Sequence, residues 1–181
     1  MSYHHGDLKA VILAQAAKLV AERGADGISL RELARAAGVS HAAPAHHFTD
    51  RRGLFTALAT EGFGLLAAAL EGARPDFTNA ALAYVRFALD HPGHYAVMFD
   101  KSLYDDDDPD LVAAETAAGE ELTRGVATLS DAKAKADPAA AALAAWSLVH
   151  GFSMLWLNDA IDTSTDPIAQ VERIARMLFS N

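Results

Sequence analysis

Cysteine is absent from the 181-residue chain, which excludes disulfides, thiolate zinc sites and cysteine nucleophiles and suits a reducing cytoplasm. Also absent are a phosphate loop, a glycine-rich dinucleotide fingerprint and the His-Glu-x-x-His helix of zinc proteases. No catalytic residue, cofactor or resident metal is therefore expected. The N-terminus lacks a basic region followed by an apolar run and a small-residue cleavage site, and no uncharged apolar stretch is read as reaching membrane length. The expectation is a cytoplasmic, non-enzymatic protein with no membrane partner.

Basic residues are in short supply, 15 Lys and Arg against 24 Asp and Glu, for a formal net charge of −9. The shortage is uneven. Residues 1–53 hold seven basic residues against five acids, a net of +2, together with five of the eight histidines, whereas the remainder carries −11. An anionic partner would be met by the N-terminal segment and repelled by the rest. With 51% hydrophobic residues, the chain can bury a substantial core in one or two small domains.

The segment Ile28 to Phe48, ISLRELARAAGVSHAAPAHHF, reads as two short helices joined by a tight turn. Ser29 and Glu32 have the spacing of a capping box, with Ile28 and Leu33 as its hydrophobic staple. Leu30, Leu33, Ala34 and Ala37 give one apolar face, while Arg31, Glu32 and Arg35 stay wet. Gly38 stands where a helix ends in a left-handed residue, and Val39 can plug the angle between the helices. Ser40 is the expected cap of the second helix, with Pro44 in its first turn. This is the pattern of a DNA-binding helix-turn-helix, although similar corners occur in helical proteins that bind no DNA. The second helix would present His41, Ala42, Ala45 and His46 to a major groove, flanked by Ala43 and His47. Imidazoles can bond base edges or phosphates, and alanines can touch a thymine methyl. Ser29, Arg31 and Ser40 complete the expected DNA-facing set.

The rest of the chain is helical in pattern. Asp7 to Gly24 forms a leading amphipathic helix preceded by an arm, Ser2 to Gly6, whose His4 and His5 either touch DNA or are disordered. Asp50 caps a long helix from Arg51 to about Gly72, where glycines predict bending near residues 62 to 64. His91 and His94 have metal-ligand spacing, but Pro92 breaks their shared face, and the acids Asp105 to Asp108 lack the glycine and distal glutamate of a calcium loop. Asp-Pro pairs at 108, 137 and 166 announce three later helices. The second of these carries two apolar stripes. Leu143, Trp146, His150, Met154 and Leu157 are expected to close the chain's own core, and Leu148, Val149, Phe152, Leu155 and Trp156, backed by Val171, Ile174 and Leu178, to meet a second subunit, the alternative being a wholly intramolecular core. Phe63, Phe87, Tyr95, Met98, Phe99, Trp146, His150 and Met154 are the candidates to line an apolar ligand cavity, although such residues at helical spacing are core by default.

The leading helix followed by GISLRELARAAGVSHAAPAHHFTDRRGLF resembles the N-terminal domain of the tetracycline-repressor (TetR) family of bacterial transcriptional regulators. The opening YHHGDL is similar to that of one branch of the family, and WSLVHG, Trp146 to Gly151, resembles a Trp-His-Gly motif in the C-terminal domain of the same branch. The resemblance covers nearly the whole chain. It implies an all-α fold of about nine helices, with a three-helix DNA-binding domain over 1–50 and a larger ligand-binding and dimerisation domain over 51–181. The implied function is a homodimeric regulator, most simply a repressor released from a double-stranded DNA operator by a small-molecule effector. Ala45 departs from the family, which usually carries a tyrosine there. Arg51 occupies the place of a phosphate-binding lysine, and the resemblance implies that this contact is kept. The alternative is a helical ligand-binding or protein-interaction module with degenerate DNA binding.

Overall fold

In a computed structural model, which describes residues 5–178 with side chains from Leu8 to Met177, the chain forms ten helices and no strand among the described residues. In order they are α1 (His5–Arg23), α2 (Leu30–Ala36), α3 (Ala43–Phe48), α4 (Arg51–Gly72), α5 (Phe77–Asp90), α6 (Pro92–Met98), α7 (Pro109–Val126), α8 (Ala132–Ala136), α9 (Pro138–Leu157) and α10 (Pro167–Leu178). The expected arm lies, up to His4, outside the described residues. Contacts group the chain into two compact units. The first runs to Phe63 and includes His91–Glu115; the second holds Gly64–Asp90 and the described chain from Thr116 onward.

In the first unit, Ile12, Leu13, Ala16, Leu19 and Val20 of α1 build the core together with Leu33, Phe48, Leu54, Phe55, Leu58, Val97 and Met98. α6 lies against α1 at backbone distance because Gly93 has no side chain: a Cβ there would overlap the Ala17 carbonyl. Gly62 has a similar reason to be small, since a Cβ would run into the Met98 thioether and the His94 side chain. The glycine that sequence reads as a bending point is thus a packing point. Tyr104 closes this unit from the loop after α6, its hydroxyl donating to the Met98 carbonyl at 2.8 Å. Burial, reinforced by the carboxylates of Glu115, Asp106 and Asp100, pushes its phenol up to about 12.

In the second unit α5 packs on α9 and α10 through Leu82, Tyr84, Val85, Phe87 and Ala88. A smaller cluster of Val126, Leu129, Ala134 and Ala141, with Phe77 and Leu122 against it, surrounds α8. That helix is missed in sequence; Asp131 caps it by accepting from the N–H groups of Lys133 and Ala134. The Asp-Pro starts are as expected: Asp108, Asp137 and Asp166 each accept from a backbone N–H two or three residues on.

Two expectations need correction in α9. Its inward face is Ala141, Ala145, Val149, Phe152 and Ser153, whereas Leu143, Trp146, Met154 and Leu155 are exposed. Ala141 and Ala145 let a neighbouring helix come close over the first half of the face, and Val149 and Phe152 fill the second half. The twenty residues of α9 also carry no Asp, Glu, Lys or Arg, so an uncharged stretch of membrane length does exist. By length and composition α4 and α9 would each cross a bilayer; half of the α4 stretch is buried inside the fold, as in the core helix of a globular protein.

Gly93→Ala should lower stability by about 2–3 kcal/mol, the cost of forcing volume into a closed contact. Gly64→Ala, helical and with open space around the new Cβ, should raise it by up to about 1 kcal/mol. Urea denaturation midpoints of the two variants check both signs.

Candidate nucleic-acid interface

Ser29 caps α2 from an extended backbone (φ −121, ψ 150), its hydroxyl accepting from the Glu32 N–H at 3.2 Å. The reciprocal half of the expected capping box is replaced: the Glu32 carboxylate takes Arg23 Nη1 at 2.6 Å and ties the end of α1 to α2. At the other end Gly38 has φ +66, and the N–H groups of Gly38 and Val39 donate to the carbonyls of Arg35 and Ala34. This pair of bonds is the Schellman ending that glycine permits. Leu33 and Ala34 face inward, leaving Arg31 and Arg35 exposed.

α3 starts later than expected. Ser40 does not cap it; the Ser40 carbonyl accepts from the Ala43 N–H in a preceding turn, and the helix opens from Ala42 with no side-chain cap. Pro44 and Phe48 are its buried anchors. Opposite them Ser40, His41, Ala42, Ala45 and His46 are exposed, while Ala43 and His47 are half-buried. The rings of His46 and His47 lie 5.5 Å apart. Three imidazoles and three alanines thus surround a short apolar-anchored helix, with Ser29 and Arg31 exposed on α2.

The joint between α3 and α4 is tight. Thr49 has φ +65 and ψ −61, and the Asp50 N–H donates to the Phe48 carbonyl at 2.7 Å, which makes a γ-turn centred on a β-branched residue. Gly53 lies against that same carbonyl, where a Cβ would overlap it, and Asp50 caps α4 by accepting from the Gly53 N–H at 2.8 Å. Arg51 turns inward: Nε donates to the Ile28 carbonyl at 3.1 Å, Nη2 to the Ala25 carbonyl at 2.9 Å, and the guanidinium carbon sits 4.7 Å from the centre of the Phe55 ring. Beside the joint is a cleft of about 570 Å³ lined by Lys9, His47 and Arg52, and also by Asp50, Glu61, Asp105, Asp108 and Asp110. Lys9 and Arg52 are not among the residues that the sequence pattern singles out, because their meeting at this cleft depends on how α1 and α4 pack.

The expected ligand-lining residues fall into two groups. In the first unit Phe99 meets Phe63 and Tyr95 edge-on, at 5.7 and 5.2 Å, beside fully buried Met98. In the second unit Phe87 is buried, His150 half-buried, and Trp146 and Met154 exposed. None of the eight lines the cleft described above. Of the expected subunit-facing residues, Phe152 and Val171 are buried in the second unit, Leu148, Trp156 and Ile174 are half-buried and Leu155 is exposed; the Leu178 side chain lies outside the described residues. His94 Nε2 lies 2.9 Å from Glu61, and the carboxylates of Asp105, Asp106 and Asp107 are exposed.

Tyr84 joins the two residues of the Trp-His pair. Trp146 Nε1 donates to the Tyr84 hydroxyl at 3.3 Å, and that hydroxyl lies 3.1 Å from His150 Nδ1. A hydroxyl that accepts the indole N–H still has its own hydrogen to offer, so it can donate to Nδ1 of a neutral imidazole. Burial holds His150 below its ordinary value of 6.5, in keeping with that neutral form. A histidine with a lowered folded-state pKa contributes stability that is complete above 6.5 and is lost as the pH falls below it. Unfolding free energies measured at pH 7 and pH 5 should therefore differ less in His150→Gln than in the wild type; an equal loss in both would rule the ring out.

Residues 12–58 match the family described as bacterial regulatory proteins, tetR family, and residues 77–178 match the tetracyclin repressor-like C-terminal domain. No curated protein matches the sequence. Among solved structures, a protein of unknown function from Rhodococcus sp. RHA1 is 37% identical over 97% of this chain and 94% of its own, with a TM-score of 0.76. The TetR family transcriptional regulator PfmR from Thermus thermophilus is 23% identical over 93% and 96%, with a TM-score of 0.73. AibR, solved in complex with isovaleryl coenzyme A and operator DNA, is 17% identical over 95% and 98%, with a TM-score of 0.68. The last two share the fold.

Proposed function

The chain belongs to the tetR family of bacterial regulatory proteins, and we propose that this DNA-binding transcriptional regulator is a cytoplasmic homodimeric repressor released by a small, largely apolar effector. The observation that carries the reading is the α2–turn–α3 corner, with its Schellman ending at Gly38 and the exposed row Ser40, His41, Ala42, Ala45 and His46. In a two-fold dimer two such corners would enter successive major grooves about 34 Å apart. We infer from the YHHGDL opening and the WSLVHG segment that the chain lies in the branch with a YHHG opening and a Trp-His-Gly motif. No catalytic role is assigned to any residue.

The second copy would meet α9 and α10. Leu143 is 60% exposed, Leu155 47% and Met154 43%, apolar side chains that a four-helix contact between two protomers would cover. The effector would bind in the C-terminal part, near Phe87, Trp146 and His150, and shift operator affinity through α4. It can do so only to the extent that its own affinity differs between the two states. AibR, of the same fold, is solved in complex with both isovaleryl coenzyme A and operator DNA, the two kinds of partner this reading needs.

Fluorescence anisotropy on a duplex from the protein's own upstream region and on a scrambled duplex, at two salt concentrations, tests the DNA reading. Tight, selective and salt-sensitive binding is expected, and His46→Ala should relax preference at one or two bases by about 1–3 kcal/mol. Weak binding, equal on both duplexes and on duplexes selected from a random pool, would favour the second reading that Ala45 motivates, a ligand-binding module with degenerate DNA contact. Sedimentation of the double variant Leu143→Glu, Leu155→Glu should show a monomer where the wild type is a dimer.

A further inference from the structure

The arginine that occupies the family's lysine position is committed elsewhere. Its Nε and Nη2 hold the carbonyls of Ile28 and Ala25, and its planar face lies on the Phe55 ring. All three contacts are within the first unit, and the two hydrogen bonds are half-buried. A phosphate seated on the Nε–Nη2 edge of this fork would have to strip it from the loop that leads into α2, which leaves only the Nη1 end for another partner. One residue further on, about 100° around the helix, Arg52 is exposed, and among the described residues it makes no ion pair. Lys9, from α1, is likewise exposed and in no ion pair; its ammonium sits 5.9 Å from the centre of the Phe48 ring, at the last residue of α3. Arg52, Lys9 and His47 therefore come from three helices to one cleft at the end of the recognition helix. The carboxylates of Asp50 and Asp108 in that cleft accept from backbone N–H groups as helix caps. Of the other acids in the cleft, Glu61 lies 2.9 Å from His94 Nε2, and Asp105 and Asp110 oppose phosphate without pairing either base.

We propose that the backbone-phosphate anchor of this protein is Arg52 with Lys9, and that Arg51 is a positioning residue that clamps the α1–α2 loop onto α4 and so fixes the angle of the reading corner. The assignment rests on the DNA-binding reading above. A lysine at position 51 would keep the charge but lose the planar fork, which needs two donors in a fixed geometry to span two carbonyls. The two roles therefore respond differently to Arg51→Lys.

The test is the slope of log affinity against log salt for the wild type, R52A, K9A, R51A and R51K, on an operator selected from a randomised duplex pool and on a scrambled duplex. R52A and K9A should each flatten the slope by about 0.9, the share of one phosphate contact, and weaken both duplexes alike. R51A and R51K should both leave the slope unchanged while narrowing the ratio between selected and scrambled duplex, and R51K should not rescue R51A. Thermal melts should show R51K destabilised and R52A unaffected. A slope flattened by R51A and restored by R51K would make Arg51 the phosphate ligand and overturn the proposal, as would an unchanged slope in R52A. If the Arg51 variants do not fold, the R52A and K9A slopes still decide the anchor. A wild type without salt-sensitive DNA binding would overturn the DNA reading and the proposal with it, whereas wild-type binding with unchanged R52A and K9A slopes would overturn the proposal alone.

Discussion

A recognition helix of six residues cannot hold itself together. Fixing the first helical turn costs more than its hydrogen bonds return, and helices this short are unstable in water alone. α3 has no side-chain cap to offset that cost. Its shape is imposed from outside, by Pro44 and Phe48 in the core and by the γ-turn that delivers the chain into α4. The contact between the Phe48 carbonyl and Gly53 is the point on which this depends, because any side chain at 53 would push α3 and α4 apart. The strained Thr49 backbone persists because its neighbours on both sides are fixed. Reading DNA thus depends on a joint and on the packing behind it, more than on the propensity of the sequence that does the reading.

The same logic recurs deeper in the first unit. α1 and α6 meet through bare backbone at Gly93 and Ala17, and α4 meets α6 at Gly62. Close approach buries little side-chain area per residue but leaves no slack, so displacement of one helix has to be taken up by its partner. Arg51 adds a polar counterpart, with one guanidinium bridging two loop carbonyls and an aromatic face. Glu32 and Arg23 supply another on the opposite side of the loop. Four separate devices therefore hold the corner, each from a different part of the sequence.

Features set by local chemistry were legible in the sequence. Ser29, Gly38, Asp50, Asp108, Asp137 and Asp166 do at the helix ends what their side chains or lack of one dictate, and the all-α class followed from them. The exposed histidines and alanines of α3 were legible because they alternate with two buried anchors. What was not legible depends on distant partners. Ser40 looked like a cap, but its carbonyl was needed in a turn. The inward face of α9 is chosen by how near α5 can come, which favours alanine over the larger residues that a periodicity count weights. Gly62 reads as a weak point in its helix because the atoms it admits, in Met98 and His94, are dozens of residues away. The inward turn of Arg51 requires the Ala25 and Ile28 carbonyls to be in place first.

The contact among Trp146, Tyr84 and His150 also makes the protein its own optical probe. The chain has two tryptophans, Trp146 and Trp156, and both are on α9. All indole emission therefore originates from a single helix, and none comes from α1 to α4, where the candidate nucleic-acid interface lies. Trp146 is 40% exposed and 5.7 Å from an imidazole, while Trp156 stacks on buried Phe152, so the two reporters see different surroundings. Indole emission describes the state of α9 without any label, and a change in that light on adding DNA would report on the second unit.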